Sequence, residues 1–351
     1  MTKVVDIGGV KIGGGNGIAI QSMTNVKTKD VSATLNQIFD LNEVGCDIVR
    51  VSVLDEMDAM AINEIKKACP IPLVADIHFN HVFALKAIEN GADKVRINPG
   101  NIGGEDKLIR VIDCAKANGA AIRIGVNGGS VNGEFLAKYG NKQKALIESL
   151  LAYVSFFEKH AFDRLVLSVK SSSVAETVSL NRELSRLTDY PLHIGVTEAG
   201  PENVGIIKNG IGIGSLLLDG IGDTVRVSLT DNPVKEVLAA KEILRACGKT
   251  VDGINFISCP TCGRCMADMI PCANKIYERI KGLRANLTVA VMGCAVNGPG
   301  EAKDADIGIA FGNGHATLFK NGESVGILPL ENIVDVFAGL VEEMADDDRK
   351  N

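Results

Sequence analysis

Two groups of residues in this chain have types and spacings that chemistry can use. The first is Cys259-Pro-Thr-Cys262-Gly-Arg-Cys265, followed by Cys294 in VMGCAVNGPGE. A C-x2-C pair joined by a distant cysteine at the end of a strand is a pattern of thiolates clamping zinc or an iron–sulfur centre. Cys265 extends the run as in bacterial ferredoxins, but no C-x3-C-P follows, so the spacing indicates metal without naming it. The second group is Arg50, Arg96, Arg123 and Arg226, each set between apolar neighbours in VRV, VRI, IRI and VRV. Side chains alternate between the faces of a strand. The flanking Val and Ile therefore pack outward and the guanidinium groups face whatever the strands enclose.

Lys170 and His78 lie near the C-terminal ends of two further strand-like segments, Asn127 ends another, and Ser228 follows Arg226 on the same face. Like charges converging in a confined space are costly unless anions neutralise them. Asp76 and Glu198 could pair with individual arginines, but two carboxylates are too few for the whole set. A phosphorylated ligand is the expected counter-charge, because Arg forks match phosphate oxygens. Asp76 and Glu198 then remain for acid–base, positioning or salt-bridge roles.

The elements that must hold these groups recur regularly. Short β-branched segments at 18–24, 47–53, 72–79, 94–100, 121–130, 164–172, 191–200 and 224–230 are each followed by an amphipathic helical stretch, such as ALIESLLAYVSFFEKH or VKEVLAAKEILRACG. Eight such units predict a (β/α)8 barrel, typically of about 250 residues. A doubly wound open sheet is the competing architecture, but the first strand-to-helix turn lacks G-x-G-x-x-G. VVDIGGVKIGG predicts a hairpin capping the N-terminal end of the barrel. Residues 131–142 lengthen the loop after strand five, at the end where such barrels keep their active sites, as a lid or as a plain insertion.

GKTVDG at 248–253 predicts a linker, dividing the chain into a barrel over 1–250 and a second α/β unit over 251–351. In the latter, INFIS, LTVAVMG and DIGIAFG predict strands, MADMIPCANKIYERIKG a helix, Asn321-Gly322 a hairpin, and the stretch from Glu331 a final helix. The helix from Pro233 to Cys247 leads away from the mouth of the barrel over about 22 Å. A six-residue linker reaches at most about 20 Å. The expected working unit is thus a homodimer with sites shared between chains, in which each cysteine-bearing unit serves its partner's barrel.

The 351 residues, 46% hydrophobic with no Trp, have the composition of a packed globular enzyme. A net charge of -6, spread along the chain, gives no global field for nucleic acid or an acidic membrane. With neither a signal-like start nor a membrane-length apolar run, a cytoplasmic location is expected. In a reducing compartment, five cysteines crowded into the last third suggest metal rather than disulfides. Cys272, Cys46, Cys69, Cys114 and Cys247 are expected as buried structural thiols.

The Arg-bearing strands, HIGVTEAG, SCPTCGR and GCAVNGPGEA together resemble the 4-hydroxy-3-methylbut-2-enyl diphosphate synthase family of the methylerythritol phosphate pathway, in its bacterial two-domain form. The resemblance covers nearly the whole chain. It implies reductive opening and dehydration of 2-C-methyl-D-erythritol 2,4-cyclodiphosphate, with two electrons delivered through a 4Fe–4S cluster from flavodoxin or ferredoxin. By position, it implies Cys259, Cys262, Cys294 and Glu301 as cluster ligands, with Cys265 outside the set. It implies Arg50, His78, Arg96, Arg123, Asn127, Lys170, Arg226 and Ser228 as diphosphate-binding residues, and Glu198 beside the reacting carbons. From the residues alone, two alternatives stand: a zinc-clamped barrel lyase or hydrolase acting on a phosphorylated substrate, and a non-catalytic electron-transfer or metal-sensing module.

Overall fold

A computed structural model describes every residue except 128–132, 250, 251, 266, 295, 297 and 349–351; the side chains of 127, 133, 299 and 348 also fall outside the description. The chain divides after Lys249 into two compact units. The first opens with an antiparallel hairpin, β1 (Val5–Ile7) and β2 (Val10–Ile12). Eight parallel strands follow: β3 (Ala19–Met23), β4 (Ile48–Val53), β5 (Leu73–Ile77), β6 (Lys94–Ile97), β7 (Ala121–Asn127), β8 (Leu165–Lys170), β9 (His193–Ile194) and β10 (Thr224–Val225). Their order is β8-β7-β6-β5-β4-β3-β10-β9. A bridge between Leu167 and Leu192, with Leu167 N–H donating to the Pro191 carbonyl at 2.9 Å, joins the two ends. The expected barrel is thus present and almost fully closed.

The intervening helices are α1 (Val31–Glu43), α2 (Glu56–Ala68), α3 (His81–Glu89), α4 (Pro99–Ile102), α5 (Glu105–Asn118), α6 (Gly133–Tyr139), α7 (Lys142–Lys159), α8 (Val174–Leu187), α9 (Glu202–Leu218) and α10 (Pro233–Ala246). Most start at a residue whose side chain accepts a first-turn N–H: Asp30, Asp55, Asn80, Asn98, Asn141, Ser173 and Asn232. Each such cap contributes about 1 kcal/mol, and together they fix the loops at the C-terminal rim. The lengthened loop after β7 contains α6, while residues 128–132 lie outside the described residues. The hairpin's Val5, Ile7 and Ile12 pack on Ala19, Ile48, Val74, Ala121 and Val166, so the N-terminal end of the barrel is plugged and dry.

Strands β9 and β10 are regular over only two residues each, shorter than the sequence suggests. Helix side chains take over part of the ladder's hydrogen bonding. Asn209 on α9 accepts from Val196 N–H at 3.3 Å and donates to the Ser228 carbonyl at 3.2 Å, while Glu236 on α10 accepts from Leu229 N–H at 3.1 Å. Buried backbone groups need partners, and here side chains supply them.

The second unit is a five-stranded sheet of β11 (Asn255–Ser258), β12 (Thr288–Met292), β13 (Ile307–Phe311), β14 (His315–Lys320) and β15 (Glu323–Pro329), in that spatial order. The first three strands are parallel, and β14 and β15 form the hairpin expected at Asn321-Gly322, both residues having positive φ. The helices are α11 (Met269–Ile280), α12 (Gly298–Lys303) and α13 (Ile333–Asp348). Ile276, Ile280, Phe337 and Val341 pack α11 and α13 on the sheet's Val289, Val291 and Ile309. The short α12 was not expected from its Gly- and Pro-rich sequence. It seats through Ala302 on Ala290, Met292 and Ala310.

Candidate active site

In the barrel, Arg50, Arg96, Arg123 and Arg226 all face inward, as strand alternation predicts, and their neighbours Val49, Val51, Val95, Ile97, Ile122, Ile124, Val225 and Val227 are buried. Together with Asp76, His78, Lys170 and Ser228, the arginines line a cavity of about 180 Å³ at the C-terminal ends of the strands. Two glycines make room for the cations. A Cβ on Gly125 would lie 2.8 Å from Arg96 Nε, and one on Gly195 would lie 2.9 Å from Lys170 Nζ. A larger hollow of about 480 Å³ around Thr2, Tyr190 and Asp223 gathers no comparable charge: Asp223 is held by the Thr2 hydroxyl at 2.6 Å and Leu192 N–H at 2.8 Å.

The counter-charges are few. Asp76 is buried and shared: Arg96 Nη1 lies 3.2 Å from one oxygen, and Arg50 Nε and His78 Nε2 lie 3.7 and 3.8 Å from the other. Glu236 pairs with Arg226 at 3.2 Å and accepts from the Ser22 hydroxyl at 2.9 Å. Sequence reasoning did not single out Glu236, because a glutamate in the first turn of a helix looks like an exposed acid complementing the helix dipole. Arg123 is 2% exposed, and among the described residues its Nε and Nη1 have no hydrogen-bond partner; Arg226 Nε is likewise unpartnered there. Desolvation, and then Arg50 and Arg96, push Arg123 well below the ordinary guanidinium range. Burial and surrounding arginines, starting with Arg123, do the same to Lys170. Burial, opposed by Asp76 and reinforced by Arg226 and Arg96, lowers Arg50 to about 10.

The expected residues do not all sit equally deep. His78 lines the cavity from an exposed position on the rim, and the Asn127 side chain lies outside the described residues, although its backbone ends β7 beside Lys170. Glu198 is exposed just beyond Val196 and Thr197, which line the cavity, and its φ is +54°. A non-glycine residue held in the left-handed region stores strain of about 1–3 kcal/mol, a feature that clusters at functional sites. Conversely, Ser168 and Thr197 line the cavity without having been singled out, and Gln21, Lys94 and His193 are buried polar residues of the barrel interior. The i, i+2 alternation that turns Arg96 inward turns Lys94 inward too, so that signal was present.

In the second unit, parallel pairing of β11 with β12 sets Cys259 beside Gly293, the residue before Cys294. Cys259 N–H donates to the Val291 carbonyl at 3.4 Å, and Gly293 N–H donates to Cys259 Sγ at 3.2 Å. A Cβ on Gly293 would lie 3.2 Å from Cys259 Sγ, 2.9 Å from Cys265 Sγ and 2.7 Å from Met269 Sδ, so this glycine keeps open a sulfur-lined cradle. Cys294 is buried, Cys262 exposed, and Glu301 exposed in the first turn of α12. Among the described residues, no three His, Cys, Asp or Glu side chains converge closely enough to hold a metal ion. Soft thiols gathered at the ends of two strands nonetheless fit an iron–sulfur centre by donor chemistry. Cys265, outside the implied ligand set, turns its thiol to the Ala267 carbonyl at 3.2 Å. Of the thiols expected as structural, Cys46 and Cys272 are buried, and Cys69, Cys114 and Cys247 are half-buried; burial pushes Cys46 up to about 12.

The family described as the GcpE TIM-barrel domain matches residues 2–241, and the GcpE protein C-terminal domain matches 255–343. A protein of Caldicellulosiruptor saccharolyticus named 4-hydroxy-3-methylbut-2-en-1-yl diphosphate synthase (flavodoxin) is 53% identical over 95% of this chain and 96% of its own. Proteins of the same name from Ruminiclostridium cellulolyticum and Clostridium perfringens are each 50% identical, over 98% and 97% of this chain and 98% of their own. A crystal structure of dihydropteroate synthase from Stenotrophomonas maltophilia covers 70% of this chain and 98% of its own at a TM-score of 0.51 and 14% identity, a likeness of barrel fold alone. No helix among the described residues is long and apolar enough to cross a membrane.

Proposed function

Because the chain belongs to the GcpE family, we propose that its barrel cavity holds 2-C-methyl-D-erythritol 2,4-cyclodiphosphate and that its second unit carries the 4Fe–4S cluster through which that substrate is reduced. The activity is that of a 4-hydroxy-3-methylbut-2-en-1-yl diphosphate synthase in isoprenoid biosynthesis, with flavodoxin as the electron donor. The observation that carries the site assignment is the excess of cations on the cavity wall: among the described residues, Arg123 Nε and Nη1 have no hydrogen-bond partner and neither Arg123 nor Lys170 forms an ion pair, while Asp76 and Glu236 are already committed to other arginines. A cyclic diphosphate supplies the missing anions.

In this reading, Arg50, Arg96, Arg123, Arg226 and Lys170 bind the two phosphates, with His78, Asn127 and Ser228 completing the mouth. When the ring opens, one diphosphate oxygen gains a full negative charge, and guanidinium groups already fixed in a dry cavity stabilise it without reorganising. Glu198, exposed on the rim with φ +54°, would orient the carbon end of the substrate or move a proton there. Cys259, Cys262, Cys294 and Glu301 would hold the cluster, which supplies low-potential electrons when bound. Glu301 would add a hard oxygen donor to the three thiolates, a weaker and more exchangeable ligand than a fourth sulfur would be.

Anaerobically purified protein is expected to be brown and, with reduced flavodoxin, to convert the cyclodiphosphate to the linear product. A colourless, zinc-containing protein without this turnover would favour the lyase or hydrolase alternative. A homodimer with shared sites is part of the proposal. Activity regained on mixing Arg50→Ala and Cys294→Ser chains supports it, and no recovery despite proven subunit exchange refutes it.

A further inference from the structure

One layer beneath the cavity, the barrel holds a second set of polar side chains for which the binding scheme has no use. Lys94 is fully buried at the start of β6, and among the described residues its Nζ has one hydrogen-bond acceptor, Gln21 Oε1 on β3 at 3.3 Å. Gln21 Nε2 and His193 Nε2, both buried, have no hydrogen-bond partner among the described residues, and His193 Nδ1 sits 3.4 Å from the Thr224 hydroxyl on β10. The charged groups acting on Lys94 are Arg123 from β7 and Arg50 from β4, opposed by Asp93, which precedes it in the chain and is engaged by Lys66 and Leu73 N–H. The other strands present Val74 on β5, Ser168 on β8 and the neutral ring of His193 on β9. Higher on the same inner wall stand Asp76, Arg96, Lys170 and Arg226.

A fully buried ammonium with a neutral acceptor, two nearby guanidinium groups and only Asp93, itself engaged by Lys66 and Leu73 N–H, to oppose them sheds its proton rather than remain charged. Phosphates in the cavity above would reverse the field that opposes protonation. We infer that Lys94 is an uncharged amine in the substrate-free barrel and becomes an ammonium when the cyclic diphosphate occupies the cavity, so that binding takes up a proton. This rests on the reading of the cavity as the cyclodiphosphate site. The proton is a useful counter-charge. Opening the ring with two electrons and one proton, with loss of water, converts a dianion to a trianion, and an ammonium below the cage balances part of the added charge. By linkage, affinity falls as pH rises through the region where the bound form titrates.

The test is calorimetric titration of the holoenzyme, without reductant, with the cyclodiphosphate at about pH 8, above the ordinary histidine range, in buffers of different ionisation enthalpy. The substrate's phosphodiester groups do not titrate there, so any proton uptake belongs to the protein. Wild type is expected to take up a substantial fraction of one proton per site. Lys94→Met, similar in volume, should still bind but lose most of that uptake, and Lys94→Gln should do the same if the Met variant folds poorly. Binding by wild type without uptake overturns the inference by itself, whatever the variants do. Uptake undiminished in a folded Lys94 variant also overturns it, by assigning the proton to Lys170 or His193. Failure of wild type to bind the cyclodiphosphate at all sinks the site reading, and this inference with it.

Discussion

Arg96 Nη1 lies 3.2 Å from one oxygen of Asp76 while Arg50 Nε lies 3.7 Å from the other, so a single buried carboxylate orients two guanidinium groups from neighbouring strands. Removing it leaves both arginines without their counter-charge in a dry interior. Breaking such a buried pair costs about 3–5 kcal/mol. Asp76→Asn should therefore lower the urea midpoint markedly, and inorganic pyrophosphate should restore part of the loss by supplying an anion.

The same carboxylate sets a pH dependence. Burial alone raises Asp76, but Arg50, Arg96 and Arg123 together outweigh it and hold the group below the usual carboxylate range. A depressed carboxyl contributes stability that is fully present above its unfolded value, about 3.9, and lost as pH falls through the lower folded value. The stability gap between wild type and Asp76→Asn should be constant above about pH 5 and close below about pH 4. A gap that widens on acidification contradicts this.

Much of this site was legible in the sequence because one rule, alternation along a strand, places Arg50, Arg96, Arg123 and Arg226 inside once their apolar neighbours are placed outside. What stayed hidden depends on contacts between elements distant in sequence. Glu236 becomes a buried partner of Arg226 only because α10 packs where β10 gives way to irregular backbone. The shortness of β9 and β10 has the same origin, since Asn209 and Glu236 satisfy groups that a continued ladder would have paired. Glu301 lies on a helix that its GPGE context disguises as a loop.

At the cluster site, Gly293→Ala introduces a methyl 2.7 Å from Met269 Sδ and 3.2 Å from Cys259 Sγ. Iron content should fall sharply with the fold of the second unit retained, as judged by circular dichroism and iron assay. Full iron loading in this variant would remove the cradle from the account.

Cys265→Ser should leave iron and activity unchanged, whereas serine at Cys259, Cys262 or Cys294 should abolish both. Glu301→Ala should lose activity more than iron, because three thiolates still anchor the cluster. Loss of iron in Cys265→Ser would mean that the sulfur near Gly293 is itself a ligand.

For Glu198→Gln, shape is retained and charge removed at a strained rim position. Substrate binding should persist while turnover collapses; near-normal turnover would make Glu198 structural only.

The most direct test of the central claim, that the barrel keeps uncompensated cations ready for an anionic substrate, is to measure stability and affinity together in Arg123→Met. Arg123 is buried, with Nε and Nη1 unpartnered among the described residues. Removing it should leave the substrate-free protein as stable as wild type or more so. Affinity for the cyclodiphosphate should meanwhile fall about tenfold to a hundredfold, equivalent to about 1.5–3 kcal/mol. Loss of stability in the free protein with unchanged affinity would show that Arg123 serves the fold rather than the substrate, and would contradict the claim.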